Sequence, residues 1–559
     1  MGHAHRDSSE SRPSVDRDER IPTSRVDFGN WEASQDFLLA KAFVDTVSFR
    51  RLRRRNNLIV LGRKGSGKTA FVHHERMRRN TQLARVVDAD SVFFSEIARK
   101  FSSHELTPEI NQRIWTHAWR VAFSNEIISI VHDAARSGHL QATKTEMGVL
   151  ASHLKHVRDG GEGGFAAFLL HTLFLVVEKY LKYSVEDRGD LIKALRRAVQ
   201  SPSAFKSVTD AASSILERSG TRLFLAFDGM DRFYDLPDLR YESTTHRMRQ
   251  VFVISLLYAV ADMANTRLLK RVDLKVMLPL DKVISLHFRD KVKSDQYAYE
   301  IQWTGRELLE FCAKRIHATA GPVVPSGLTD DSAWKAIFPD KLSHAVDRSL
   351  EESTFDYVLR HTLMRPRDFQ VHWKMIHDLS EGGVVTEDSL REGVRIGAER
   401  LATYYFDEWA GEFPFLPGIL DLFRESASVF VYDSSFRDVL SSAVSLVNSY
   451  LEVEAVGSAI ALPFRTAQKR NKNGCVMVTR EFVLQLLYSV GFLGKLREGA
   501  LVETESRVLE FASKKYSCWF YCYQKYPNIS AGDTLVIHPI FYERYAIRPS
   551  EPLIVGPHH

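Results

Sequence analysis

The apolar run Leu58-Ile59-Val60-Leu61 is followed at once by GRKGSGKT, Gly62 to Thr69. Four apolar residues, a glycine-rich loop and the stretch KTAFVHHERMRR predict a strand, a tight turn and a helix beginning near Lys68. The loop fits the template G-x-x-x-x-G-K-[ST] without a mismatch, in the strand–loop–helix context that the template requires. Its chemistry belongs to the backbone. Gly62, Gly65 and Gly67 let successive N–H groups turn inward around a β-phosphate, and the helix N-terminus adds its partial positive charge. Lys68 can reach β- and γ-oxygens, and the Thr69 hydroxyl can ligate Mg²⁺. The expected contacts with ATP or ADP are Gly62, Arg63, Lys64, Gly65, Ser66, Gly67, Lys68, Thr69 and Ala70.

Such a loop needs a carboxylate at the end of a neighbouring strand. Arg222–Phe227, RLFLAF, is apolar after its first residue, as in a parallel strand covered on both faces. Asp228 follows it and is the expected Mg²⁺ ligand. Asp231, one turn on, has two readings: it orients or deprotonates an attacking water, or it caps a helix or pairs with Arg232.

Around these motifs the chain organises as an α/β protein. Its 559 residues exceed one ordinary core and imply two to four domains. Residues 1–27 are polar and charged and read as a disordered tail. A helix is expected over EASQDFLLAKAFVDTVSFRRL, with Phe37, Leu38, Ala40, Phe43 and Val44 at helical spacing. Strands at Leu58–Leu61, Ala84–Ala89, Arg222–Phe227 and Val272–Leu278 alternate with helices. They predict a core over 28–298, with a helical insertion at about 93–219. A helical lid is expected over 299–382 and a further domain over 383–559. In that last domain, helices at Thr479–Tyr488 and Thr504–Ala512 precede a hairpin of Trp519–Tyr523 and Thr534–His538, the pattern of a winged-helix-like module.

Composition excludes several classes. Lys plus Arg minus Asp plus Glu is 75 − 70 = +5, too small to imply a nucleic-acid partner by itself. Cys312, Cys475, Cys518 and Cys522 suit neither a disulfide scaffold nor a zinc knuckle, and read as reduced thiols of a cytoplasmic protein. The runs Phe165–Val177 and Val251–Val260 fall short of the ~20 residues of a membrane span, and no signal peptide opens the chain. Gly160–Gly164 follows no strand, so it is a flexible break and not a second phosphate loop. His73-His74-Glu75 lacks the offset of a zincin site and is expected on the solvent side of its helix. Five arginines within Arg50–Arg55 read as a solvated helix face, or as a group that meets nucleic acid or a neighbouring subunit's nucleotide.

GRKGSGKT and LFLAFDGMDR together resemble the STAND-class P-loop ATPases near the NACHT and KAP groups, an AAA+/STAND-like core. The chain is more closely similar to a bacterial P-loop ATPase family labelled FunZ-like. FGNWEASQDFLLAKAFVDT, YAYEIQWTGRELLEFCAKRI, HTLMRPRDF, SVGFLG and HPIFYERY carry the likeness over most of the chain. The resemblance implies ATP binding with conformational switching, commonly in bacterial defence or stress loci, and puts Arg365 and Arg367 at a second sensor of the γ-phosphate. The residue-level alternative for these arginines is a helix-start pair with Asp368. One departure stands out. Where relatives carry F-L-R-x-D this chain has Met277-Leu278-Pro279-Leu280-Asp281, so an expected arginine is proline.

Two functions follow as expectations. In the first, Mg²⁺-dependent ATP binding, with slow hydrolysis, drives homo-oligomer assembly or control of a protein effector, without a membrane. In the second, an initiator- or repair-like ATPase binds nucleic acid through its winged helix and Arg50–Arg55.

Overall fold

The apolar runs of the sequence assemble into one parallel sheet whose central strands are covered on both faces. The computed structural model describes residues 20–79, 81–88, 108–158, 169, 202–230, 243–284, 286, 291–321, 328–346, 348–349, 351–409, 413–453, 468–470, 476–498, 516–520 and 529–550. Strands β1 (Ile59–Gly62), β2 (Ala84–Asp88), β3 (Leu223–Asp228), β4 (Val272–Pro279) and β5 (Ala298–Glu300) lie in the order β2-β3-β4-β1-β5. Every pairing is parallel.

Alternate residues of each strand serve two cores, as the two-residue period of a strand demands. Leu223, Leu225 and Phe227 of β3 and Val272, Leu274 and Val276 of β4 face one core. It is filled by the insertion helices, α4 (Pro108–Arg136), α5 (Lys144–Arg158) and α6 (Pro202–Ser219), and by α7 (Ser243–Met263). Trp119 meets Phe227 edge-on at 5.4 Å, and Trp115 meets Phe252 at 4.9 Å. Phe224, Ala226, Val60 and Met277 face the opposite core. There they meet α2 (Val47–Leu52), α3 (Lys68–Met77) and α8 (Gly305–Ala320), through Phe49, Leu52, Phe71, Val72, Leu308 and Phe311.

The helix expected over residues 32–52 is divided. A short α1 (Leu39–Ala42) ends at extended Phe43, and Thr46 caps α2 by accepting from Phe49 N–H. Phe37, counted among the apolar face, is 65% exposed. Packed chain also begins before residue 28. Ile21, Thr23 and Val26 are buried, and Ile21 N–H and Thr23 N–H donate to the carbonyls of Ala336 and Gly383. The polar composition of the tail hid these few inward side chains; residues 1–19 lie outside the described residues.

Beyond β5 the chain is mostly helical, through α8, α9 (Asp330–Lys335), α10 (Thr354–Arg360), α11 (Pro366–Leu379) and α12 (Glu387–Trp409). A small antiparallel ribbon, β6 (Lys341–Ser343) with β7 (Glu351–Ser353), interrupts it. Three-residue strands leave no period for a sequence reading to find. The C-terminal part packs α13 (Ser434–Val453) and α14 (Arg480–Ser489) with a second sheet. β9 (Gln468–Arg470) and β10 (Val476–Val478) form a separate antiparallel ribbon, while β8 (Val429–Val431), β11 (Leu493–Glu498), β12 (Tyr516–Phe520) and β13 (Thr534–Ile537) make the sheet, antiparallel in the order β12-β11-β13-β8.

Here one expectation fails. β12 and β13 do not form a hairpin with each other; both pair with β11, which lies between them. The central strand is the short run Leu493–Glu498, whose Gly494 and Lys495 break any apolar alternation. The helix expected at Thr504–Ala512 and the runs Gly160–Gly164 and Phe165–Val177 lie outside the described residues, apart from Leu169. Among the described residues no helix is long and apolar enough to cross a membrane.

The segment before α1 is tied to α8, the start of the helical region expected as a lid, by a buried ion pair, Arg315 Nη2 to Asp36 Oδ2 at 2.5 Å, with side chains 5% and 3% exposed. Arg315 also donates to the Phe28 carbonyl, and Gln370 Nε2 donates to the carbonyls of Phe28 and Asn30 at 2.9 and 3.0 Å. Removing one member of such a pair strands the other charge in the core. Asp36→Ala is expected to lower stability by about 3–5 kcal/mol, and Asp36→Ala with Arg315→Met to recover most of that loss. Denaturant unfolding of the full chain checks both.

Candidate functional site

Two left-handed glycines shape the turn between β1 and α3. Gly65 has φ 84° and Gly67, the N-cap of α3, has φ 95°, conformations that side chains with a Cβ rarely adopt. Close packing forbids side chains here as well. A Cβ on Gly65 would come within 2.9 Å of Arg367 Cβ, and one on Gly62 within 2.5 Å of Ser66 Oγ. Lys68 is buried, and its Nζ donates to the carbonyls of Gly62 at 2.8 Å and Arg63 at 3.2 Å. The ammonium is thereby folded back into the loop.

Three parts of the chain hold this loop from outside. Trp303, just after β5, donates from Nε1 to the Ser66 carbonyl at 2.8 Å. The next residue, Thr304, opens α8 with a capping box completed by Glu307, which fixes where the indole emerges. From the lid, Arg365 Nη1 donates to the Lys64 carbonyl at 2.9 Å. Arg63, itself in the loop, is buried and donates from Nη2 to the Ser489 carbonyl at the end of α14, 2.8 Å away. Its guanidinium lies 5.8 Å from the centre of the Trp409 ring.

The RPRD stretch is built to place Arg365. Met364 adopts φ 57°, Arg365 is the N-cap of α11, and Pro366 fixes the first helical position. Asp368 is fully buried; its Oδ2 accepts from Leu363 N–H at 2.7 Å and its Oδ1 from Arg365 Nε at 3.1 Å. Arg365 Nη1 also meets Glu408 Oε1, near the end of α12, at 3.0 Å. The two arginines therefore separate: Arg365 is 2% exposed and holds the loop, while Arg367 stacks against Gly65 at the cavity.

That cavity, about 660 Å³, runs between the sheet, the lid and the segment before α2. Lys64, Gly65, Gly67, Lys68, Thr69 and Ala70 line it from the loop, and Arg365, Arg367 and Glu408 from the lid side. Asp228 reaches it from the last position of β3 and is 8% exposed. Because β4 separates β3 from β1, Asp228 and the loop reach this cavity from non-adjacent strands. Asp88 ends β2 in register with Asp228 and lines the same cavity. Pro279 ends β4 opposite Gly62. Asp231 lies outside the described residues.

The flanking polar motifs find duller roles. Glu75, expected in solvent, is 3% exposed and accepts from Arg53 Nε at 2.7 Å. His74 stacks on Phe43 at 3.6 Å, and only His73 of the three lines the cavity. Leu52 within the arginine run is fully buried, Arg53 bridges Asp45 and Glu75, and Arg54 and Arg55 are exposed. Glu408, Trp409 and Asp88 belong to no local motif, and Ser489, which opens SVGFLG, contributes only its carbonyl, which side-chain patterns do not mark. Trp303 lay in a quoted stretch, and the Thr-x-x-Glu box after it was the usable signal.

At the end of β5, Glu300 Oε1 is buried without a hydrogen-bond partner. Burial raises its carboxyl from the ordinary 4.5 to about 7, against the opposing pull of Arg63. The folded protein thus binds a proton that the unfolded chain has already lost, and stability falls as pH rises from about 4.5 to about 7. Glu300→Gln removes that cost. It is expected to melt above the parent at pH 8 by an amount equivalent to roughly 3 kcal/mol, with the gap closing at pH 4.5 in thermal unfolding.

Residues 306–396 match the family model of the FunZ-associated C-terminal helical domain. The match runs from the start of α8 into α12 and includes Arg365 and Arg367 but neither the loop nor Glu408. No curated protein and no solved structure matches the chain.

Proposed function

We propose that the chain binds Mg²⁺-ATP and ADP at the Gly62–Ala70 loop and works as a slowly hydrolysing STAND-type regulatory ATPase. The observation that carries this reading is the double attachment of the loop. Arg365 ties the Lys64 carbonyl to the lid, and Arg63 ties the loop to α14 of the C-terminal, winged-helix-like part. A loop whose occupancy is felt at once by two other parts of the chain suits a switch.

The loop's N–H groups and the start of α3 would hold the β-phosphate, and Lys68 would swing from the Gly62 and Arg63 carbonyls to the β- and γ-oxygens. Thr69 and Asp228 would hold Mg²⁺, which when bound neutralises phosphate charge. Arg367 lies against Gly65 on the cavity and would meet a γ-phosphate there, while Arg365 is engaged by Asp368, Glu408 and Lys64. The role of attacking-water base remains with Asp231, outside the described residues. Pro279, opposite Gly62, has neither charge nor N–H donor and cannot stabilise charge on a transferring phosphoryl group. That favours slow hydrolysis, below the ~1–10³ s⁻¹ of typical enzymes.

The FunZ-associated domain match supports a role near bacterial defence or stress signalling, with nucleotide-dependent assembly or control of an effector as output. No described observation favours the nucleic-acid reading, since Arg53 is engaged by Asp45 and Glu75. Lys68→Ala is expected to weaken binding of ATP and ADP by roughly 100-fold or more, as loss of two charge-assisted phosphate contacts requires. Calorimetric titration measures it, with sedimentation of the parent to follow the nucleotide-dependent change in assembly. A Lys68→Ala variant that binds and assembles like the parent would refute the assignment.

A further inference from the structure

Glu408 carries an inference that the motifs do not. One nitrogen of Arg365, Nη1, lies 3.0 Å from Glu408 Oε1, 3.2 Å from Glu408 Oε2 and 2.9 Å from the Lys64 carbonyl. Nε of the same guanidinium is held by Asp368, which is fully buried. The Glu408 side chain is 11% exposed and lines the cavity beside Lys64, Gly65, Lys68 and Arg367. A carboxylate from α12 therefore sits on the cation of the lid at the phosphate end of the site. Its backbone is held as well, since Lys282 Nζ donates to the Glu408 carbonyl at 3.1 Å.

On the nucleotide-binding reading given above, a diphosphate would be served by the loop and Lys68 alone. A third phosphate extends toward Arg367 and Arg365, where Glu408 already satisfies the guanidinium and repels a second anion. We propose that Glu408 is a positioning residue that sets the preference of this site between diphosphate and triphosphate, by occupying the face of Arg365 that a terminal phosphate would take. Triphosphate then binds fully only when the end of α12 yields. Trp409, the next residue, lies against Arg63, so that movement is transmitted toward the C-terminal part.

The test compares Mg²⁺-ADP with the Mg²⁺ complex of the non-hydrolysable analogue AMP-PNP, by calorimetric titration of the full chain. Glu408→Gln keeps the shape and removes the charge. It is expected to tighten AMP-PNP about tenfold, the scale of one charge-assisted hydrogen bond, while ADP changes less than about twofold. Glu408→Asp, which keeps the charge but withdraws it, should move the ratio the same way by less, and carries the test if the glutamine variant does not fold. Asp407→Asn, a neighbouring carboxylate on the cavity, should leave the ratio unchanged.

An equal shift for both nucleotides, a weaker AMP-PNP complex, or the same effect from Asp407→Asn overturns the proposal. Lys68→Ala, run in parallel, tells the two failures apart. If binding depends on Lys68 but the ratio does not respond to Glu408, this inference alone is wrong. If the parent binds neither nucleotide, or Lys68→Ala binds like the parent, the nucleotide reading falls and this inference with it.

Discussion

The arrangement depends on one guanidinium. Arg365 is buried at the junction of loop, lid and α12, and each of its contacts belongs to a different element: Asp368 within α11, Glu408 in α12, and the Lys64 carbonyl in the loop. A buried cation is tolerated only when fully paired, so none of these contacts can be given up without another group taking its place. Burial also raises the Glu408 carboxyl above its ordinary value, opposed chiefly by Arg365. The pair is thus mutually dependent, and the position of α12 is coupled to the conformation of the loop.

The other clamps act on the same turn from different directions. Trp303 fixes the Ser66 carbonyl, and Arg63 reaches out from the loop to α14. Beneath them the sheet is rigid, with β3 and β4 buried along their whole length between two cores. On the proposed reading, a stiff sheet and a loop held at three points would let a small local change be expressed as a movement of whole elements, because packed cores shift between discrete arrangements and do not deform smoothly.

Four of the five strands of the parallel sheet were legible because apolar runs flanked by polar turns have few other uses, while the three-residue β5 offers no such run; the Gly62–Thr69 loop was legible because glycine spacing encodes a backbone shape directly. Asp228 followed from its place at the end of a buried strand. Less legible were the break in the helix before Val47, set by the Thr46 cap, and the central β11, too short and mixed to stand out. The solvent assignment of His73–Glu75 failed because Glu75 is drawn inward by Arg53, whose partner the linear sequence cannot identify.

What the sequence determined by itself is therefore local: the turn that only glycines permit, the lysine and threonine beside it, the strands, and the carboxylate at the end of one of them. Tertiary structure decided which distant residues answer to that turn. Glu408 lies more than three hundred residues beyond Lys64, and Ser489 more than four hundred beyond Arg63. It also divided two arginines only two residues apart, burying Arg365 as a tie and leaving Arg367 on the cavity. Spacing along a chain fixes periodicity and turns; pairing of buried charges is fixed by which elements pack together, and only the fold supplies that.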